Sequence, residues 1–174
     1  MKRIFTILFF CCLTVAFLNA QTVELPAGHV RGICPEGWHI PSDAEWTELT
    51  NYLGSAYDET NERYLYRCNQ SDATSIAKAL ASEMASETGW HIYSGECYPG
   101  DQSTKPNNAS GFGAVPAGWF GIDFFDARYS TYFWSATQGS VNNAYTRDLY
   151  NNYSYVDSYS DLKNNGNSVR CLRD

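Results

Sequence analysis

Apolar residues fall into three regimes along this 174-residue chain. Ile4 to Phe17 is an almost unbroken apolar run, a helical period follows from Ala44 to Met84, and short β-type runs alternate with turns from Phe112 onward. The first helix is the best marked. Pro41 precedes it, Ser42 is a good N-cap, and Glu45 three residues on completes a capping box. Ala44, Trp46, Leu49, Tyr52 and Leu53 give its apolar stripe, and Gly54 is the natural stop. A second helix is predicted to begin near Ser71 or Asp72, with Ile76, Ala77, Leu80, Ala81 and Met84 at helical spacing and Gly89 at its end. Ahead of both, residues 21–33 read as a short leading strand with apolar points at Val23, Leu25, Val30 and Ile33.

After Trp90 the pattern changes. Gly95, Pro99, Gly100, Pro106, Asn107, Asn108 and Gly111 make residues 94–111 a long loop. Strands are predicted over Phe112–Phe120, Tyr132–Ala136, Ala144–Tyr150, Tyr153–Tyr159 and Ser168–Leu172. Helices first and strands later point to an α+β domain with a small, mostly antiparallel sheet, not an alternating parallel one. No repeat period and no linker to a second domain is visible.

The first apolar run belongs to targeting rather than to the fold. Lys2 and Arg3 form a positive n-region and Leu18-Asn19-Ala20 a cleavage site, so residues 1–20 read as a signal peptide. The run is shorter than the roughly 20 residues a spanning helix needs. Cys11 and Cys12 lack the small preceding residue that lipid attachment wants. Removing Lys2 and Arg3 takes the formal charge from −7 to −9, which argues against nucleic acid or an anionic membrane as partner. Cys34, Cys68, Cys97 and Cys171 remain, an even number in an exported chain. Two disulfides are therefore favoured over metal binding, with three connectivities open.

Four ordered motifs carry a resemblance. They are Cys34-Pro35-Glu36-Gly37-Trp38-His39-Ile40-Pro41, Ser110-Gly111-Phe112-Gly113-Ala114-Val115-Pro116-Ala117-Gly118, Tyr132-Phe133-Trp134-Ser135-Ala136-Thr137 and Ser168-Val169-Arg170-Cys171. Together they resemble the Fibrobacter succinogenes major paralogous domain, a family of surface and exported bacterial proteins related in turn to C-type lectin-like folds. The chain departs from the family's pattern in having little upstream of Cys34. The resemblance implies that residues 34–174 form a disulfide-closed lectin-like domain, with Cys34 paired to Cys171 and Cys68 to Cys97. It implies no cofactor. Calcium-dependent lectins carry Glu-Pro-Asn or Gln-Pro-Asp and then Trp-Asn-Asp, whereas this chain offers Lys105-Pro106-Asn107, so no metal site is expected. Formylglycine-generating enzymes have a related fold but use a reactive cysteine pair, and here the one cysteine near the C-terminus is Cys171.

The remaining chemistry is aromatic. Trp38, Trp46, Trp90, Trp119 and Trp134 read as core and loop-anchor residues, with Trp119 beside Gly118 the best placed to stack on a sugar. His39, between Trp38 and Ile40, reads as a satisfied buried histidine. Seven of thirteen tyrosines fall between Tyr129 and Tyr159, interleaved with asparagines, which is the composition of adaptable binding loops. The expected contact surface is the long loop with Trp119, Tyr145, Arg147, Tyr150, Asn151, Asn152, Tyr153 and Tyr155, Arg147 serving as polar anchor. The sequence thus predicts a non-enzymatic, exported (periplasmic, cell-surface or secreted) binding or adhesion domain for an extracellular glycan or protein. A structural surface module and a degenerate formylglycine-generating-type enzyme are the alternatives.

Overall fold

The computed structural model describes residues 30–53, 56–58, 63–65, 75–83, 89–93, 97–101 and 107–174. The expected signal peptide, most of the expected leading strand, Cys68 and Met84 lie outside the described residues. The architecture is α+β, with two short helices and three antiparallel sheets among the described residues. Strand β1 (Trp38–His39) pairs with the last strand, β9 (Leu172–Arg173). Helix α1 (Asp43–Tyr52) follows β1, then β2 (Ala56–Asp58), β3 (Arg63–Leu65) and helix α2 (Ile76–Leu80). A two-stranded hairpin, β4 (Trp119–Phe120) and β5 (Phe124–Phe125), forms a separate small sheet. The long strands β6 (Ser130–Gln138), β7 (Asn143–Tyr150) and β8 (Val156–Leu162) complete a five-stranded sheet of order β2-β3-β8-β7-β6.

The capping box at α1 is present as the sequence predicts. Ser42 Oγ accepts from Glu45 N at 3.3 Å, and Glu45 Oε2 accepts from Ser42 N at 2.9 Å. The buried stripe, however, runs through Trp46, Leu49, Thr50 and Leu53, while Tyr52 is exposed. Thr50 can stand in the interior because its hydroxyl donates to the carbonyls of Trp46 and Thr47.

Helix α2 is shorter than its periodicity predicts. Its N-cap is Ser75, the hydroxyl accepting from Lys78 N at 3.0 Å, while Ser71 and Asp72, where the sequence predicts the start, lie outside the described residues. At the other end Ala81 turns extended and bridges Ala114, so tertiary pairing takes over where the apolar period alone would continue the helix. The strand predicted over Phe112–Phe120 also breaks up. Gly111, Gly113 and Gly118 adopt positive φ and Pro116 has no N–H to give, leaving a bridge at Ala114 and then β4. The strand expected at Tyr153–Tyr159 starts three residues later, at Val156, because the chain bends at Ser154 and Tyr155, where Ser154 O accepts from Ala77 N of α2. The pairs β1/β9, β2/β3 and β4/β5 were not anticipated as strand pairs.

Trp46, Ile76, Leu80, Ala81, Trp90, Ala114, Phe133, Leu149 and Val156 form the core between the helices and one face of the large sheet. Trp46, Phe112 and Phe133 meet ring to ring at 5.5–5.9 Å, and the Arg170 guanidinium lies 4.3 Å above the Phe112 ring.

The two ends of the domain are joined covalently, Cys34 being disulfide-bonded to Cys171 across 137 residues. Cys97 is disulfide-bonded as well, and its expected partner, Cys68, lies outside the described residues.

Two outcomes are expected from denaturant unfolding. Replacing Cys34 and Cys171 together with Ser should cost about 5 kcal/mol in the chain-entropy picture of a loop this long, read as a lower urea midpoint. Ser42→Ala should cost about 1 kcal/mol, the usual value of a lost N-cap.

Candidate functional site

Side chains alternate across a strand, so register decides which predicted site residues share a face. Phe133 pairs with Arg147, Thr131 with Leu149, and Arg147 with Ser158. Tyr145, Arg147 and Leu149 therefore lie on the core face. The opposite face carries Tyr132, Asp148 and Asp157 in one row, because Tyr132 pairs with Asp148 and Asp148 with Asp157. Tyr150 stands on that face beside Asp148.

This parity corrects part of the expected surface. Arg147, expected as a polar anchor at the surface, is 1% exposed. Its guanidinium makes a 2.6 Å ion pair with Asp43 at the start of α1 and donates to Thr146 O and Ser158 Oγ. It fastens the helix N-terminus to the sheet, where Thr137 Oγ1 also accepts from Asp43 N at 2.9 Å. Asn151, 5% exposed, is equally committed. Its side-chain amide donates to His91 O, its N–H to Tyr129 O, and its carbonyl accepts from Gly100 N. Tyr145 is half-buried on the wrong side of the sheet for the other tyrosines. The described part of the long loop is also structural. Asp101 is buried against Lys78, and Asn107 donates to Ser82 O and Pro99 O.

The structure does bring together Tyr150, Tyr153 and Tyr155, and adds Tyr132. Tyr132 and Tyr150 meet edge to face at 5.9 Å, Tyr150 and Tyr153 at 5.1 Å, and Tyr153 stacks on Tyr155 at 4.8 Å. The run starts in the sheet at half-buried Tyr132 and Tyr150 and reaches solvent at Tyr153 in the β7–β8 turn, next to half-buried Asn152. Burial first, and then the nearby Asp148 carboxylate, push the Tyr150 phenol well above its ordinary value. The same two causes raise Tyr132, against hydrogen bonds with Ser130 and Tyr150.

Trp119 is placed differently from the tyrosines. It is half-buried on the β4–β5 hairpin, stacked on its cross-strand partner Phe125 at 4.9 Å, and its Nε1 donates to Asp126 Oδ2 at 3.2 Å. Phe120 and Phe124 form a second cross-strand pair, and Ile122 at the tip is 96% exposed. These exposed apolar residues were not assigned to the site from sequence. The signal was present, since Phe120 and Phe124 are separated by Gly121-Ile122-Asp123, a short hairpin connection.

Two further polar clusters matter. His39 is buried, with Nδ1 2.5 Å from Asp174 Oδ1 and Nε2 3.0 Å from Glu45 Oε1, consistent with a satisfied structural histidine. Asp148 is the opposite case, 3% exposed, its Oδ1 without a hydrogen-bond partner. Burial pushes its carboxyl up to about 8, with Asp157 and Asp161 adding to the rise and Thr146 and Arg147 opposing it. Among the described residues no group of three or more His, Cys, Asp or Glu side chains is arranged to hold a metal.

Asp148 and Glu45 give opposite pH dependences. Burial works against the Glu45 charge, but hydrogen bonds from Ser42 and His39 outweigh it and hold the carboxyl below 4.5. That stability is present above the unfolded value and is lost as pH falls through the folded one. For Asp148 the folded state holds the proton longer than the unfolded chain does. Its contribution is full below 3.8 and disappears as pH rises through about 8. The melting temperature should therefore be higher at mildly acidic pH than at either strongly acidic or alkaline pH. In Asp148→Asn the fall on the alkaline side should largely disappear, as thermal melts across pH will show.

Comparison with known proteins adds the family and nothing finer. No curated protein and no solved structure matches the chain. The sequence model of the Fibrobacter succinogenes major domain matches residues 19–173, which takes in every described element and both cysteines of the terminal disulfide. The chain belongs to the Fibrobacter succinogenes major domain family.

Proposed function

We propose that the protein is an exported or cell-surface binding domain of C-type lectin-like fold, without catalytic activity, that recognises an extracellular glycan or protein. The observation that carries this reading is the unbroken run of tyrosine rings from Tyr132 through Tyr150 and Tyr153 to Tyr155. Tyrosine offers a broad, rigid contact area at small entropic cost, and exposed aromatic anchors supply a disproportionate share of binding energy. Ring–ring contacts hold the anchors in place before a ligand arrives, which lowers the cost of association. Nearby Asn152 and the exposed Tyr159 extend the surface with polar groups.

The lectin-like reading is supported by the disulfide joining the domain's ends, the pairing of β1 with β9, and an antiparallel sheet drawn mainly from the second half of the chain. Export is supported by the leader-like residues 1–20 and by disulfides, which persist in oxidising compartments. No helix among the described residues is long and apolar enough to cross a membrane. The degenerate-enzyme alternative needs a reactive thiol, and each cysteine among the described residues is bonded in a disulfide.

The test uses residues 21–174 on a printed glycan array, with and without calcium, and on intact cells of the producing organism. The wild type should bind one of these surfaces. Changing Tyr153 and Tyr155 together to Ala should weaken that binding at least tenfold, with the circular dichroism spectrum unchanged. A folded double variant that binds like the wild type would exclude the tyrosine face as the contact surface.

A further inference from the structure

The β4–β5 hairpin is built as a second, rigid aromatic platform that the tyrosine run does not explain. Its base is bolted to the domain by backbone hydrogen bonds, Gly118 N to Ser130 O, Arg128 N to Pro116 O, and a reciprocal pair between Phe120 and Gly166. Gly118 has φ +68°, and a Cβ there would collide with the Phe125 carbonyl, so the two strands close onto each other only with glycine at this position. Asp126 and Arg128 are held at φ +57° and +73°, a conformation that costs free energy outside glycine and persists where surrounding bonds enforce it. The outcome is an aromatic ribbon that keeps Phe124 57% and Phe125 39% exposed.

One face of the ribbon combines flat rings with hydrogen-bond acceptors. Trp119 and Phe125 stack with their planes 27° apart, and Asp126 lies at their rim with one carboxylate oxygen on the indole N–H. Asp123, in the connecting turn, gives one oxygen to Phe124 N. Each carboxylate retains a second oxygen for a ligand hydroxyl. An aromatic face is electron-rich and attracts weakly positive C–H groups. A pyranose offers such C–H groups on its ring face and hydroxyl donors around its edge. Charge then selects among saccharides. The Asp126 carboxylate at the rim, Asp123 in the adjoining turn and a chain of net charge −7 repel an anionic sugar, and Arg128 turns its Nε to Gly89 O.

We propose that Trp119 and Phe125, with Asp126 at their rim and Asp123 in the adjoining turn, form a calcium-independent binding site for neutral saccharides. The site goes beyond the tyrosine-face reading and uses different residues, so either can fail alone. Trp119 supplies the main stacking ring, and the carboxylates accept from sugar hydroxyls.

The test is affinity gel electrophoresis of residues 21–174 in gels containing mixed-linkage β-glucan, galactomannan or dextran, with polygalacturonate as the anionic comparison, all in EDTA. At least one neutral polysaccharide should retard the wild type, and polygalacturonate should not. Trp119→Ala should weaken retardation at least tenfold, and Trp119→Phe, which keeps a flat ring, should restore part of it. Ile122→Ser should stay within twofold of wild type, because the tip lies outside the stacking face. Tyr153 and Tyr155 changed to Ala should leave retardation unchanged. Thermal melts identify any variant that has lost its fold, and the Trp119→Phe result then decides. The proposal is overturned if no neutral polysaccharide retards the protein, or if Trp119→Phe binds no better than a folded Trp119→Ala. It is equally overturned if Ile122→Ser abolishes retardation, which would mark the tip as an apolar insertion element, or if the hairpin changes act only by altering self-association in sedimentation.

Discussion

The domain depends on its two ends being held together. The Cys34–Cys171 disulfide does this covalently, and the β1/β9 pairing, the Asp174 N–H to Gly37 O bond and the His39–Asp174 contact repeat it without covalent chemistry. The closure and the first helix share a residue. Glu45 caps α1 through Ser42 and also accepts from His39, so fixing the C-terminus beside β1 fixes the helix N-terminus too. The closing segment then does a second job. Ser168 bonds both Tyr132 O and Trp134 N and covers the edge of β6, which would otherwise offer unpaired backbone groups, and Gly166 grips Phe120 of the hairpin. Closure of the ends thus determines how the helix, the sheet edge and the aromatic ribbon are positioned.

Among the described residues a small apolar core sits beside many buried polar groups. Arg147 and Lys78 are both enclosed, and each has a carboxylate and carbonyls to satisfy it. Pairs of this kind add little net stability compared with apolar packing, but breaking one leaves a charge stranded, so they enforce one arrangement of helix on sheet. Asp148 has no such partner for Oδ1, and burial raises its carboxyl to about 8. The same side chain stands beside Tyr132 and Tyr150, so the least satisfied buried acid lies under the tyrosine run.

The sequence made some of this legible and hid the rest for identifiable reasons. Local signals were reliable: the Ser42–Glu45 cap, the three long strands and the α+β order depend on neighbours in the chain. Periodicity failed where tertiary pairing outweighed it, as at Ala81, which leaves its helix to bridge Ala114. The terminal strand pair joins residues more than 130 positions apart and leaves no local trace. For the candidate surface the difficulty was parity. Tyr, Asn and Arg composition from Tyr145 to Tyr155 does not say which residues face the core, and one position separates the half-buried Tyr150 of the tyrosine run from the enclosed Leu149. Arginine was the most misleading, because a guanidinium that suits a ligand suits a helix N-terminus equally well.

That exchange bears on how a binding domain of this size can be built. Polar side chains that might have anchored a ligand, Arg147, Asn151, Asn107 and Asp101, are taken up in holding loops and helices to the sheet. Among the large residues the fold leaves exposed are the aromatics Tyr153, Tyr159, Phe124, Phe125 and Tyr129. Rings need few hydrogen bonds to be placed, since packing against one another fixes them, as Tyr129 is fixed on His91 at 4.5 Å. A domain whose hydrogen-bonding side chains are consumed by its own loops can still present a preorganised surface if that surface is made of rings. On this argument the proposed recognition rests on shape and apolar contact first, with carboxylates and tyrosine hydroxyls adding direction at the rim.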